Sequence, residues 1–238
     1  MACAPQCPLG GPWSAAEETR GSGSLVGVST DQLSVYDAIR LRRDVRAEFT
    51  GELVDDQTLW RILAAAHRAP SVGNSQPWDF VVIRSADTLR RFAEHVADKR
   101  DEFAAALPTD RAATFAPIKI EGIVESGTGV VVTHDDRRGG PQVLGRASVP
   151  ETGVYSTVLA IQNLWLAATA EGIGVGWVSF YEPEVLSELV GLPAGIKPVA
   201  WLCVGPVREF QQVPDLERFG WRAGRSLDEA VHRETFGG

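Results

Sequence analysis

The chain has 238 residues, with 23 Lys and Arg against 31 Asp and Glu, which gives a formal net charge of −8. This acidic balance argues against a nucleic-acid partner, because affinity for phosphate backbones comes mainly from clustered Lys and Arg. The hydrophobic fraction of 44% and the charged fraction of 23% are typical of a globular protein and exclude a largely disordered one.

Cysteine and histidine usage predicts neither a disulfide framework nor a metal site. The three cysteines, Cys3, Cys7 and Cys203, are too few for a stapled fold and indicate a reducing compartment. Cys3 and Cys7 have no second ligand pair nearby, and the four histidines are scattered without metal-ligand spacing.

Residues 1–33 differ in composition from the rest of the chain. They are rich in Gly, Ser, Ala and Pro and lack a sustained apolar period, which predicts a flexible N-terminal extension. Residues 34–238 contain no linker or repeat and are predicted to form one domain. We expect no secretory signal, no membrane span and a cytoplasmic location, since the most apolar stretch, residues 154–170, is interrupted by Gln162 and Asn163.

Apolar spacing and capping residues predict four helices in this domain. Their expected ranges are Ser34 to Leu41, Asp55 or Asp56 to a stop before Pro70, Asp87 to about Ala106, and Thr152 to Glu171 followed by Gly172. The first helix carries Val35, Ala38 and Ile39 on one face, and the last is apolar around most of its circumference.

Four short apolar runs predict buried strands. They are Trp78–Ile83, Val130–Thr133, Val175–Tyr181 and Val199–Val204. Helices and strands mixed within one domain indicate an α+β or α/β sandwich.

Three arginines follow the first predicted helix in the sequence Arg42-Arg43-Asp44-Val45-Arg46. Guanidinium groups bind phosphate through planar, bidentate hydrogen bonds, so this cluster is a candidate anion site. A solvated helix end is the alternative interpretation.

Two further segments are candidate ligand contacts. The first, P-S-V-G-N-S-Q-P-W over residues 70–78, offers hydroxyls, amides and the close backbone approach that Gly73 permits, although such residues also build ordinary turns. The second, G-I-G-V-G-W-V-S over residues 172–179, follows a helix and does not match a dinucleotide-binding fingerprint. Ser179 has no nucleophile-elbow pattern, so serine hydrolysis is weakly supported.

In this order along the chain, these segments resemble the FMN-binding nitroreductase superfamily over roughly residues 34–235. Finer matches resemble one branch of it, the 5,6-dimethylbenzimidazole synthases. Those matches are residues 42–46, the segments Ile118–Ile123 and Val143–Arg146, residues 155–158 with 162–167, and Gly174–Ser179.

The resemblance implies a fold, an activity and partners. The fold would be an α+β three-layer sandwich, with a mainly antiparallel central sheet flanked by helices, in a homodimer paired through long central helices. The activity would be oxygen-dependent fragmentation of reduced FMN into 5,6-dimethylbenzimidazole, the lower ligand of cobalamin, and erythrose 4-phosphate. FMNH2 would then be a substrate with O2 as co-substrate and no metal, and a separate flavin reductase would supply it.

The resemblance also implies which residues contact the flavin. They are Arg42, Arg43, Asp44, Val45, Arg46, Ser71, Gly73, Gly176, Trp177, Ser179 and the C-terminal Arg225. Among them, Asp44, Gly73 and Ser179 match catalytic positions: a carboxylate near flavin and oxygen, a backbone N–H near oxygen, and a hydroxyl near the ribityl chain. The charged segment from Lys99 to Ile123 is a candidate cover for the site.

One departure keeps two alternatives open. Asn74-Ser75 follows Gly73 where larger apolar residues would be expected in this branch, which favours an NAD(P)H-dependent nitro- or quinone reductase on the same fold. The other alternative is a non-catalytic flavin-binding protein.

Overall fold

The computed structural model describes residues 33–237. Apart from Leu33, the extension predicted over residues 1–33, with Cys3 and Cys7, lies outside this described part. The helices are α1 (Val35–Leu41), α2 (Asp56–His67), α3 (Ala86–Ala105), α4 (Thr109–Phe115), α5 (Thr152–Ala170), α6 (Pro183–Leu189) and α7 (Asp215–Arg218), with a 3₁₀ turn at Val72–Asn74. The strands are β1 (Trp78–Ile83), β2 (Thr128–Asp135), β3 (Ile173–Val178) and β4 (Ile196–Pro206).

The predicted helix boundaries are confirmed by their caps. The Ser34 hydroxyl accepts a hydrogen bond from Asp37 N at 3.1 Å, and the Asp55 carboxylate accepts one from Thr58 N at 2.9 Å. Both satisfy backbone donors that have no partner inside the helix. At the end of α5, Gly172 adopts φ +73°, a left-handed conformation that terminates the helix.

The four strands form one antiparallel sheet in the order β1-β2-β4-β3. Beyond β3, the chain leaving α1 runs along the sheet edge, where Asp44 forms a parallel bridge with Val175 and Val45 N donates to Val175 O at 3.0 Å. The arginine-rich segment is therefore fixed beside β3 by backbone hydrogen bonds.

Side chains on the two faces of the sheet build two separate cores. Val130, Val132 and Leu202 pack with α2 and α5, whereas Val131 and Trp201 pack with α3 and α6. This alternation follows from the two-residue period of a strand. Helices cover both faces, so the predicted α+β three-layer sandwich is confirmed.

Several predicted boundaries and faces were wrong. The strand predicted to reach Tyr181 ends at Val178, because Val178 is the last residue paired with β4, and this leaves Ser179 in a loop. β2 and β4 are longer than predicted, since pairing continues to Thr128 and to Ile196, and β3 begins at Ile173 rather than Val175. Of the apolar face predicted for α1, only Ala38 is buried.

Three short helices, α4, α6 and α7, were not predicted. They contain four to seven residues, too few to show an apolar period. Within residues 33–237, no helix combines the length and apolar character needed to cross a membrane.

Candidate active site

The guanidinium of Arg46 is buried and held by neighbouring protein oxygens. Nη1 donates to Val45 O at 3.0 Å, and Nη2 donates to Trp177 O at 2.6 Å and to the Asp44 carboxylate at 2.8 Å. Gly176 leaves the space for this arrangement, because a Cβ at that position would overlap Nη1 and Val45 O. The hydrogen-bond acceptors of Arg46 are thus supplied by the protein itself.

The Asp44 carboxylate is fixed from two sides. Oδ1 accepts from Trp177 N at 2.9 Å and lies 2.8 Å from Arg46 Nη1. About half of the Asp44 side chain is accessible, and this half faces two cavities. The other half is packed against protein atoms. Desolvation raises the pKa of the Asp44 carboxyl, and Arg46 and the Trp177 N–H offset part of that rise. A carboxyl with a raised pKa suits proton transfer.

Asp44, Trp177 and Ser179 line two adjoining cavities of about 360 and 560 Å³. Both volumes lie in the range of small-molecule sites. Ser179 is exposed, and its hydroxyl makes no hydrogen bond to any group in residues 33–237. It is therefore available to a ligand in either cavity.

The smaller of these two cavities is covered by an aromatic cluster. Its members are Phe103, Phe115, Phe180 and Trp221, with ring centroids 5.0 to 6.4 Å apart. Two cations hold the cover in place: Arg111 lies 3.8 Å above the Trp221 ring, and Arg100 lies 5.1 Å above Phe115 and donates to Ala116 O. Such cation–π contacts stabilise the arrangement of the rings.

Part of this cover was predicted and part was not. Phe103, Phe115 and Lys119 belong to the charged segment 99–123 that sequence analysis proposed as a cover. Phe180 and Trp221 were missed, because they reach the cavity through contacts between distant parts of the chain.

Arg42 and Arg43 line a third, smaller cavity of about 160 Å³ together with Asp44. Arg43 donates to Arg42 O at 2.7 Å and to Gln212 O at 2.6 Å, and burial lowers the pKa of its guanidinium, with Arg42 adding to the shift. Arg42 lies 5.0 Å above the Trp165 ring, and its guanidinium donates to no group in the described part of the chain. Among the three predicted phosphate ligands, Arg42 is the one whose whole guanidinium makes no hydrogen bond within residues 33–237, whereas Arg43 lacks an acceptor only at its buried Nε.

Ser71 and Gly73 are not brought to these cavities within one chain. Their loop contacts α5 where Val72 N donates to Ser156 Oγ at 3.0 Å, whereas Arg43 O accepts from Trp165 Nε1 at 3.0 Å. These two α5 residues are nine positions apart, about 13.5 Å along a helix.

Arg225 also lies apart from Asp44. It is exposed in the C-terminal segment, donates to Glu229 O and does not line the three cavities around Asp44. Among the described residues, no group of three or more His, Cys, Asp and Glu side chains is placed to hold a metal ion.

Comparison with known proteins places this chain in a family. Residues 39–206 match the model of the nitroreductase family. The chain is 43% identical over 190 residues to a 5,6-dimethylbenzimidazole synthase of Rhodospirillum rubrum, covering 77% of this chain and 87% of that one.

Solved structures show the same fold. An iodotyrosine deiodinase bound to FMN and 3-iodo-L-tyrosine aligns with a TM-score of 0.67 at 20% identity, covering 85% of this chain and all of that one. A BluB-like flavoprotein of Clostridium difficile 630 aligns with a TM-score of 0.63 at 20% identity and the same coverage. The chain belongs to the nitroreductase family, and its sequence groups it with the 5,6-dimethylbenzimidazole synthases.

Proposed function

We propose that this oxidoreductase of the nitroreductase family fragments reduced FMN in the presence of O2, releasing 5,6-dimethylbenzimidazole and erythrose 4-phosphate. The observation that carries the proposal is Asp44, which Arg46 and the Trp177 N–H hold at the floor of a covered cavity in a chain 43% identical to a 5,6-dimethylbenzimidazole synthase. A separate flavin reductase would supply FMNH2.

The residues around Asp44 fit a flavin. A planar ring system needs apolar and aromatic walls, which Phe115, Phe180 and Trp221 supply. A phosphate needs a cation with free donors, and Arg42 has them. Reduced FMN, when bound, supplies the electrons and the reactivity toward O2.

The chain's own part is to orient the flavin, exclude water and move protons. Asp44 would accept or return a proton at its carboxylate, and the Ser179 hydroxyl would hydrogen-bond near the carbon that is cut. Arg46 would act through Asp44, because both terminal nitrogens of its guanidinium are engaged by Val45 O, Trp177 O and that carboxylate. Arg46 is therefore proposed as a positioning residue rather than a phosphate ligand.

A second copy of the chain would complete the site. The faces of α1 and α5 expose neighbouring apolar side chains, among them Tyr36, Ile39, Tyr155 and Leu159. Burying such a face against a partner is favourable, and symmetric dimers are the most common oligomers. In a homodimer, the Ser71–Gly73 loop of one subunit could reach the Asp44 cavity of the other, which one chain does not achieve.

The test is to mix the purified protein with FMNH2 in air and to quantify benzimidazole by chromatography. Stoichiometric loss of the flavin chromophore with benzimidazole formation is the expected result. Rapid NAD(P)H oxidation with intact FMN would instead identify a reductase, the function that Asn74-Ser75 favours. Tight flavin binding without turnover would identify a flavin-binding protein.

A further inference from the structure

A segment with no assigned role packs against the loop that carries Gly73. This segment, residues 135–146 and here called the brace, contains the buried Val143. A Cβ at Gly73 would lie 2.7 Å from Val143 Cγ1 and 2.8 Å from Leu144 N, and a Cβ at Gly139 would lie 2.8 Å from Val143 Cγ2. Val143 is therefore wedged between two glycines, and the brace touches Gly73 directly.

The Gly73 loop needs such support because its backbone is unusual. Gly73, Asn74 and Gln76 have φ values of +53°, +51° and +43°, in the left-handed region that non-glycine residues seldom adopt. Conformations of this kind persist where the surrounding structure determines them. Gly73 is exposed, and its N–H has no hydrogen-bond acceptor among residues 33–237, so this donor is free.

Arg146 closes the brace onto itself. Its Nη1 donates to Arg138 O at 3.2 Å, and its Nη2 donates to Gly140 O at 2.9 Å. The Arg138 guanidinium in turn binds β1: it donates to the Asp79 carboxylate at 3.0 and 2.6 Å and to Trp78 O at 3.0 Å. Because Arg146 N also donates to Val143 O at 3.2 Å, a continuous set of contacts leads from the sheet through Arg138, Arg146 and Val143 to Gly73.

We propose that Arg146 is a positioning residue that holds the brace closed and so fixes the direction of the Gly73 N–H. The inference rests on the proposed function for its catalytic consequence. Arg146 lines none of the cavities around Asp44, so its effect on the reaction is expected to be indirect, through Gly73. A planar guanidinium spans two carbonyls, which an ammonium does less well and a carboxamide more weakly still.

Amide hydrogen exchange tests the positioning directly. We expect exchange in peptides covering residues 71–77 to quicken roughly tenfold in Arg146→Gln, with partial recovery in Arg146→Lys, because the support of the loop is loosened. Arg137→Gln is the matched control: Arg137 lies in the same segment, is 64% exposed and pairs with Asp135 two residues away. Unchanged exchange in Arg146→Gln would overturn the proposal.

Product yield tests the consequence. Per FMNH2 oxidised, Arg146→Gln is expected to give roughly 10-fold less benzimidazole, since small misplacements of a site can cost up to about 100-fold. A merely structural role would lower the melting temperature and leave this ratio unchanged, and that result would refute the positioning role. If the unmodified protein forms no benzimidazole, the proposed function fails, while the exchange measurement still decides whether Arg146 holds Gly73.

Discussion

The Arg46 guanidinium lies in the space that a side chain on residue 176 would need, because residue 176 is glycine. The buried cation thereby reaches Trp177 O while it pairs with Asp44. One missing methyl group at Gly176 thus determines the geometry of the carboxylate at the floor of the cavity.

We predict that Gly176→Ala destabilises the protein by about 1–3 kcal/mol, the usual cost of inserting a group into a filled core. Arg46 would be displaced, and Asp44 would lose one of its two fixed partners. Urea denaturation measures the change. Gly224→Ala is the control, because the nearest atom to a Cβ there is 4.0 Å away. Equal stability of the two variants would contradict this account.

The arginine cluster offers a second test, since its members have different surroundings. Arg42→Ala should keep the fold and weaken FMN binding roughly 10- to 100-fold, the effect of removing a charged hydrogen-bond donor. Arg43→Ala should instead lower stability by about 1 kcal/mol, because three backbone carbonyls, two of them exposed, exchange a guanidinium donor for water.

Flavin fluorescence titration and thermal unfolding of both variants separate these effects. If Arg43→Ala abolished binding and left the melting temperature unchanged, the assignment of the two arginines would have to be exchanged.

In the arginine cluster, local signals in the sequence predicted the kind of site but not the partner of each arginine. Three arginines within five residues predicted an anion site, and local rules predicted the caps at Ser34 and Asp55. Which arginine has no hydrogen-bond partner is decided by Gln212 O, which binds Arg43, and by Trp177 O, which binds Arg46. Both carbonyls lie more than 130 residues away along the chain. No local pattern encodes such pairings.

Long-range contacts also explain why part of the aromatic cluster over the cavity was not predicted. Trp221 reaches the cavity through Phe103 and Phe115, more than 100 residues earlier, and no period or spacing signals that contact. By contrast, the strand at residues 78–83 was predicted with correct bounds, since its apolar run is local, although only Trp78 in it is buried.

Trp221 gives a third prediction, on water exclusion. Trp221→Ala should open the cavity, so that FMNH2 is still oxidised but a larger share of the O2 consumed appears as hydrogen peroxide rather than benzimidazole. The ratio of the two products on one preparation measures this effect. Leu227→Ala, an exposed change in the same segment, should behave like the unmodified protein. An unaltered ratio in Trp221→Ala would show that the cover does not protect the reaction.

The exposed face of α5 gives a fourth prediction, on assembly. Leu159→Asp should yield monomers in sedimentation at micromolar concentration, because a buried, unpaired carboxylate disfavours the interface. Benzimidazole formation should fall together with dimer content if the Ser71–Gly73 loop acts across subunits. Leu227→Asp, at another exposed position, is the control. A fully active monomer would contradict the shared site.

The last prediction concerns Asp44, whose carboxylate both pairs with Arg46 and faces the cavities. Asp44→Asn keeps the size and the acceptor for Trp177 N but removes the base, so product formation should fall by roughly 10²–10⁴-fold, the range typical of losing a general acid or base. FMNH2 affinity should stay similar or rise slightly, because a negative charge near the phosphate is removed.

The pH profile distinguishes a proton-transfer role for Asp44 from a purely structural one. Desolvation raises the pKa of Asp44 above 3.8, the ordinary value for aspartate. If Asp44 is the base, enzyme activity therefore rises with pH as this raised pKa is passed and the carboxyl loses its proton. This rise of kcat/KM with pH should be absent in Asp44→Asn. Glu171→Gln is the matched control, since Glu171 pairs with Arg61 at 2.7 Å and lines none of the three cavities around Asp44. Near-normal product from Asp44→Asn would exclude the proton-transfer role, whereas lost FMNH2 binding would reassign Asp44 to holding the site together.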